Sequence, residues 1–206
     1  GYEHTSQGDI VSGELPKNSV IFKLENIDGK WNPNNPSGME QYLQERQAIV
    51  VRYGFKINGS IEWVKAGTFY MSEWDTPSNG LEATFTARDI LEFLGEAYTG
   101  TRNDTLTNIA TAVFTQADID SSFYSIDSSL DSLSVNFSAD TTIYTLGEVL
   151  QMCANAAECI LYQDHVGVLH IEPLDTTLTD YQISQFNSYS HPEFSLSKEL
   201  KSVSVN

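Results

Sequence analysis

The stretch Gln47-Ala48-Ile49-Val50-Val51-Arg52-Tyr53-Gly54-Phe55-Lys56-Ile57, followed by Asn58-Gly59 and then by Ile61-Glu62-Trp63-Val64, reads as two strands around a two-residue turn. Asn-Gly supplies the two left-handed backbone positions that a tight hairpin needs, and the flanking β-branched and aromatic residues suit a pleated surface. Outward from it, Ser19 to Glu25 alternates with the period of a half-buried strand, Val20, Phe22 and Leu24 on one face. Gly67 to Trp74 and Leu81 to Ala87 read as two further strands, joined through Pro77-Ser78-Asn79-Gly80. Between the first strand and the hairpin, Asp28-Gly29-Lys30-Trp31-Asn32-Pro33-Asn34-Asn35-Pro36-Ser37-Gly38 is dense in turn formers and predicts a long irregular connection. Residues 1–87 are thus expected to be a β unit.

At Arg88 the apolar period lengthens to that of a helix. Ile90, Leu91, Phe93 and Leu94 predict one helix, and Leu106, Ile109, Ala110, Val113 and Phe114 predict a second, capped by Asp104 or Thr105. A Ser/Asp-rich loop from Asp120 to Asp131 leads to a short strand at Leu133, Val135 and Phe137. Thr145-Leu146-Gly147-Glu148 fits a capping box opening a helix that ends near Ala157. Glu158 to Gln163 and Val166 to Glu172 are expected to pair around Asp164-His165, and β pattern returns at Phe194 to Leu196 and Leu200 to Val205. The expected fold is α+β: a β-barrel-like domain of residues 1–87 plus 189–206, interrupted by an inserted α/β subdomain of residues 88–188. The alternating Lys201-Ser202-Val203-Ser204-Val205-Asn206 carries no terminating signal, so a longer natural chain is expected.

Charge narrows the function classes. The 206 residues carry 11 Lys and Arg against 28 Asp and Glu, a net charge of −17, and from 103 to 197 there is no Lys or Arg at all. Nucleic acids and anionic membranes are bound through cations, so neither is an expected partner. No apolar run approaches the roughly 18 residues of a membrane-crossing helix.

Motifs that carry chemistry are missing. Gly-x-Ser-x-Gly, the phosphate-cradling Gly-x-x-x-x-Gly-Lys-Ser/Thr and Gly-x-Gly-x-x-Gly do not occur. His4, His165, His170 and His191 never take the four-residue helical spacing of a zinc pair. Cys153 and Cys159 suit small core residues better than a metal pair, and a Cys159 thiol with a His165 base is disfavoured by their positions around a tight turn. Glu62, Glu73 and Asp75 near Trp63 and Trp74 offer a glycosidase-like combination, for which ordinary strand composition is the simpler account. Oxygen-rich loops occur at Asn26, Asp28, Asn32 and Asn34 and at Asp118, Asp120 and Asp127; Lys30 in a ligand slot and a displaced Gly29 depart from the EF-hand order. No catalytic, cofactor-binding or metal-ligating residue is therefore expected, no cofactor, and no enzymatic activity.

Several segments, in order and spacing, resemble bacteriophage tail-tip and baseplate hub proteins. They are Ser12-Gly13-Glu14-Leu15-Pro16-Lys17-Asn18, the Asp28 to Pro36 loop, Val50-Val51-Arg52-Tyr53-Gly54, Trp63 to Met71, Thr145 to Leu150, Ala156 to Ile171, and His191-Pro192-Glu193. The resemblance implies a structural subunit of a phage or prophage virion tail, assembled in the host cytoplasm with other tail proteins and with itself, as a trimer around the tail axis. Its pattern is architectural and transfers no functional residue. The Asp28 to Glu45 loop and the edge at Val203 to Val205 are the expected contact providers, and the cation-free half would suit a lumen that DNA must pass without sticking. Two other readings remain open from sequence: a carbohydrate- or receptor-binding module, and the non-catalytic portion of a cell-wall hydrolase.

Overall fold

The computed structural model describes residues 2–7, 15, 17–76 and 80–174, the first of these stretches by backbone alone. Gly1–Leu174 is one compact unit; Asp175–Asn206 is a second, and lies outside the described residues. The terminal strands expected within 189–206 therefore lie outside them too.

The N-terminal strands are β1 (Tyr2–Gln7), β2 (Lys17–Glu25), β3 (Ala48–Ile57), β4 (Ser60–Asp75) and β5 (Glu82–Arg88). They form one antiparallel sheet in the order β1-β2-β5-β4-β3. The barrel-like closure expected from the sequence is not found: among the described residues the sheet is open, with β1 and β3 at its edges. The strand that was to close it belongs to the stretch outside.

Gly67 does not divide two strands. β4 runs unbroken for 16 residues, and absorbs the irregularity as a bulge: Val51 faces Gly67 while Arg52 faces Lys65, leaving Ala66 as the extra residue. A buried cluster of Val20, Phe69 and Ala87 receives Ile49 and Val51, and a neighbouring one joins Met71, Ala83 and Phe85 to Phe22, Trp31 and Trp74. Phe22 and Phe85 are register partners and stack at 5.2 Å, while Trp31 meets Phe85 edge-on at 5.1 Å. The turn-rich loop thus contributes its indole to the core.

Past Arg88 the expected first helix is only a 3-10 turn, Ile90–Phe93. The N–H of Tyr98 donates to Tyr144 O, and the carbonyls of Leu94 and Glu96 accept from Gly147 and Leu146. The N-terminus of the distant helix Leu146–Ala156, with Tyr144 just before it, takes the bonds that continuation would need. The remaining elements are β6 (Asn103–Thr105), α1 (Leu106–Gln116), β7 (Tyr124–Ile126), β8 (Ser134–Asn136), α2 (Leu146–Ala156), β9 (Cys159–Gln163) and β10 (Leu169–Pro173). β6 pairs with β8, and β10 lies between antiparallel β9 and parallel β7.

The two helices bury the same stripe. Leu106, Ile109, Ala110, Val113 and Phe114 on α1 match Leu146, Val149, Leu150, Cys153 and Ala154 on α2, each set at positions i, i+3, i+4, i+7 and i+8. With Leu130, Leu161, Leu169 and Ile171 they make the largest core. Thr105 Oγ1 accepts from Asn108 N at 3.3 Å, and Thr145 forms a complete capping box with Glu148.

Candidate assembly surface

β5 pairs with β4 only from Tyr70 to Asp75, so among the described residues Ser60 to Phe69 pairs with β3 alone. Beyond the bulge the hairpin leaves the sheet, and every residue from Arg52 to Val64 is exposed. Asn58 (φ 49) and Gly59 (φ 89) close it in the left-handed conformations expected of Asn-Gly.

Directly opposed residues share a face. One face continues the core stripe of β3: Ile49 and Val51 pack inside, then Tyr53, Phe55 and Ile57 run out past the core beside Val64, Glu62 and Ser60. The other carries Trp63 against Gly54, Ile61 against Lys56, and Arg52 against Lys65. The indole lies so close to Gly54 that a Cβ there would sit 2.9 Å from Trp63 Cζ3. Trp63 is 63% exposed, Ile61 and Val64 57%, and Phe55 50%. Scattered apolar residues on a surface are ordinary, but here exposed apolar side chains gather on each face of a projecting two-stranded ribbon, Tyr53, Phe55, Ile57 and Val64 on one and Ile61 and Trp63 on the other, and such a ribbon is marginally stable alone in water. Such a surface gains stability when covered.

The hairpin's base is held firmly. Gln163 Nε2 donates to Thr68 O at 2.7 Å, Ile90 N donates to Gln163 Oε1 at 2.9 Å, and Lys65 Nζ donates to Val166 O at 3.1 Å. Gly167, at φ 94, lets the β9–β10 turn approach: a Cβ there would lie 3.1 Å from Thr68 Cβ. Alongside, Tyr70 and Phe93 meet edge to face in a groove of about 690 Å³, with Arg46 over the Phe93 ring.

The residue sets weighed for chemistry fall apart in space or serve local structure. Cys159 opens β9 opposite Pro173, its thiol against Ala157 O and Ser129 Oγ, and the burial of this thiol raises its pKa. His165 lies in the turn past the other end of that strand, on the order of 20 Å away at the rise of a β-strand. Both cysteines are free, and burial pushes the Cys153 thiol up to about 12, where it is unreactive. Glu62 and Glu73 lie eleven residues apart on one strand; Glu73 pairs with Arg88 at 3.4 Å, and Trp74 packs on the core. Trp31 likewise packs on that core cluster.

The oxygen-rich loops bind their own backbone. Asn26 Oδ1 accepts from Trp31 N, Asp28 Oδ1 from Lys30 N and Asn32 Oδ1 from Asn34 N; Asp120 and Asp127 accept from Ser122 N and Ser129 N. The Ser129 hydroxyl and N–H hold the Asp127 carboxyl below its usual range, and the Ser122 N–H and hydroxyl do the same for Asp120. Among the described residues no group of three or more His, Cys, Asp and Glu could hold a metal ion. A pocket of about 210 Å³ between α1 and α2, reaching Phe137 and Met152, is smaller than ligand sites usually are. One polar network stands apart: Tyr162 Oη donates to Glu172 Oε1 at 2.6 Å, and His170, stacked on Tyr162, lies 3.2 Å from Asp164 Oδ2. It ties β9 to β10.

The projecting hairpin is the feature that sequence reasoning missed as a surface. Its strands are legible; their exposure depends on β5 stopping short, which no local pattern encodes.

No family model matches the chain, and no curated protein matches it in sequence. Its fold is similar to that of the tail protein from Neisseria meningitidis MC58, at a TM-score of 0.50 and 13% identity over 82% of this chain and 44% of that one. It is also similar to the 43 kDa tail protein of prophage MuSo2 from Shewanella oneidensis, at a TM-score of 0.46 and 14% identity over 83% and 52%. The chain spans about half the length of these solved structures. Both neighbours are tail proteins, one of them of a prophage, in keeping with the resemblance in the sequence, and what the chain shares with the Neisseria protein is the fold.

Proposed function

We propose that this chain is a structural, non-catalytic subunit of a phage or prophage tail, a baseplate hub or tail-tip component that assembles with copies of itself, as a trimer, and with other tail proteins. The observation that carries the reading is the projecting hairpin Arg52 to Val64, apolar on one face and cationic-aromatic on the other. Strand edges and an exposed apolar ribbon are what a ring-forming subunit needs and what a dispersed monomer must avoid. The fold shared with the Neisseria tail protein supports the same reading. Within it, residues 88–188 act as an inserted subdomain, and closure of the open sheet into a barrel-like domain falls to 189–206 or to a neighbour.

The test is incorporation. Tail particles made with the full-length product should carry it at the tail tip, and replacing Tyr53, Phe55 and Ile57 together by Ser should leave the chain folded yet absent from the particles. Normal particles containing the triple variant would refute the role of the hairpin, and particles without the chain at all would refute the reading.

A further inference from the structure

The two faces of the hairpin differ in charge as well as in polarity. Register puts Arg52 opposite Lys65 and Lys56 opposite Ile61, with Trp63 between them over Gly54, so all three cations of the hairpin share the indole's face. The only carboxylate in Ala48 to Ala66, Glu62, is opposite Phe55 on the other face. This segment carries a net charge of +2 in a chain of −17. Among the described residues neither Arg52 nor Lys56 makes an ion pair, and Lys65 donates only to a backbone carbonyl, Val166 O.

Edge strands ordinarily carry a lysine that discourages pairing. A guard of that kind needs no more than one cation at the outer edge, whereas here both strands contribute and an exposed tryptophan stands among them. Such a face fits an acidic protein surface, the aromatic supplying contact area and the cations register. The chain itself carries the complementary charge. From Asp104 to Glu172 it holds ten carboxylates and no Lys or Arg. Hydrogen bonds keep Asp104, Asp140 and Glu148 below their usual carboxylate range, so they remain charged well into acid.

We propose that the cationic face of the hairpin, Arg52, Lys56 and Lys65 around Trp63, docks on the Asp104 to Glu172 half of a second copy of this chain. This rests on the assembly reading above and names its contact. Because the two surfaces are different parts of one chain, the contact can be head to tail, and where two copies do not reciprocate it, it propagates into a ring or a filament. At about 0.1 M salt, where charges are screened beyond about 10 Å, the repulsion between two net-acidic copies is weakened while pairs in contact survive.

The experiment mixes unlabelled and nitrogen-15-labelled full chain at that ionic strength and couples amines to carboxylates with a zero-length carbodiimide. The expected result is mixed-isotope peptides joining Lys56 or Lys65 to carboxylates within 104–172, and self-association at least tenfold weaker, by sedimentation velocity, in the Arg52→Glu/Lys56→Glu variant. Both positions are exposed, so the variant's unfolding curve should match the wild type. Mixed-isotope links confined to other segments, self-association untouched by the double variant, or a chain that stays monomeric would each overturn the proposal. Carboxylates that line a lumen would give no such links. A chain that assembles through other residues sinks this contact alone, whereas failure of the tail-subunit reading is read separately, as absence of the chain from tail particles.

Discussion

Asp89 gives the sharpest stability prediction. It follows β5 and is fully buried; its Oδ2 accepts from Asn18 N at 2.6 Å and Asn18 Nδ2 at 3.0 Å, while Oδ1 has no partner. Burial pushes its carboxyl up from 3.8 to about 6, against the lowering effect of the Asn18 bonds, and the neighbouring Glu92 charge adds to the rise. A folded-state value above the unfolded one means that the folded chain holds the proton more tightly. The stabilisation is therefore complete below about pH 4 and is lost as the pH rises through 6. From these two values the loss between pH 5 and pH 7 is about 1.3 kcal/mol, within a full span of about 3 kcal/mol. Asp89→Asn keeps an acceptor for both Asn18 donors and removes the titration. Urea unfolding of both proteins should show the variant gaining about 1.3 kcal/mol on the wild type between pH 5 and pH 7. Carboxylates such as Asp120 and Asp127, whose values are lowered, tilt both curves the opposite way and cancel in the difference. A difference that stays flat with pH would refute the argument.

Thr145→Ala removes the half of the α2 capping box in which Thr145 Oγ1 accepts from Glu148 N and should cost about 1 kcal/mol in urea unfolding, while Glu148→Ala removes the other half, the bond that Thr145 N donates to the Glu148 carboxylate, at a smaller cost. Phe114→Ala empties a fully buried site stacked on Tyr124 at 4.2 Å, and should cost about 3–5 kcal/mol by the same measurement. Gly59→Val places a branched side chain at φ 89 with no atom within 4 Å to blame for a clash, so any loss is conformational. Hydrogen exchange should speed up at Arg52 to Val64 by roughly tenfold, the equivalent of about 1–2 kcal/mol, and stay unchanged in α1 and α2.

The parts legible in the sequence are those fixed by local chemistry. Both long helices followed from apolar spacing and from Thr105 and Thr145 as caps, and the Asn58-Gly59 and β9–β10 hairpins followed from their turn residues. The rest depends on distant partners. β6, β7 and β8 are three residues each; of these only β8 has a readable alternation, in Leu133, Val135 and Phe137. The segment Ile90 to Leu94 has a helical period yet stops after one turn because the α2 N-terminus claims its carbonyls. From sequence the expected contact providers are the Asp28 to Glu45 loop, whose Trp31 packs on the core, and the edge at Val203 to Val205, which lies outside the described residues. What projects is a hairpin whose composition is that of any half-buried strand pair, and only the shortness of β5 makes it a surface.

The central claim is that this chain exists to be assembled. Electron microscopy of the full-length protein at tens of micromolar tests it most directly: the account predicts rings or tail-tip particles with threefold symmetry, lost when Tyr53, Phe55 and Ile57 are replaced by Ser. Dispersed monomers from the wild-type chain, alone and in the presence of its tail particles, would contradict it.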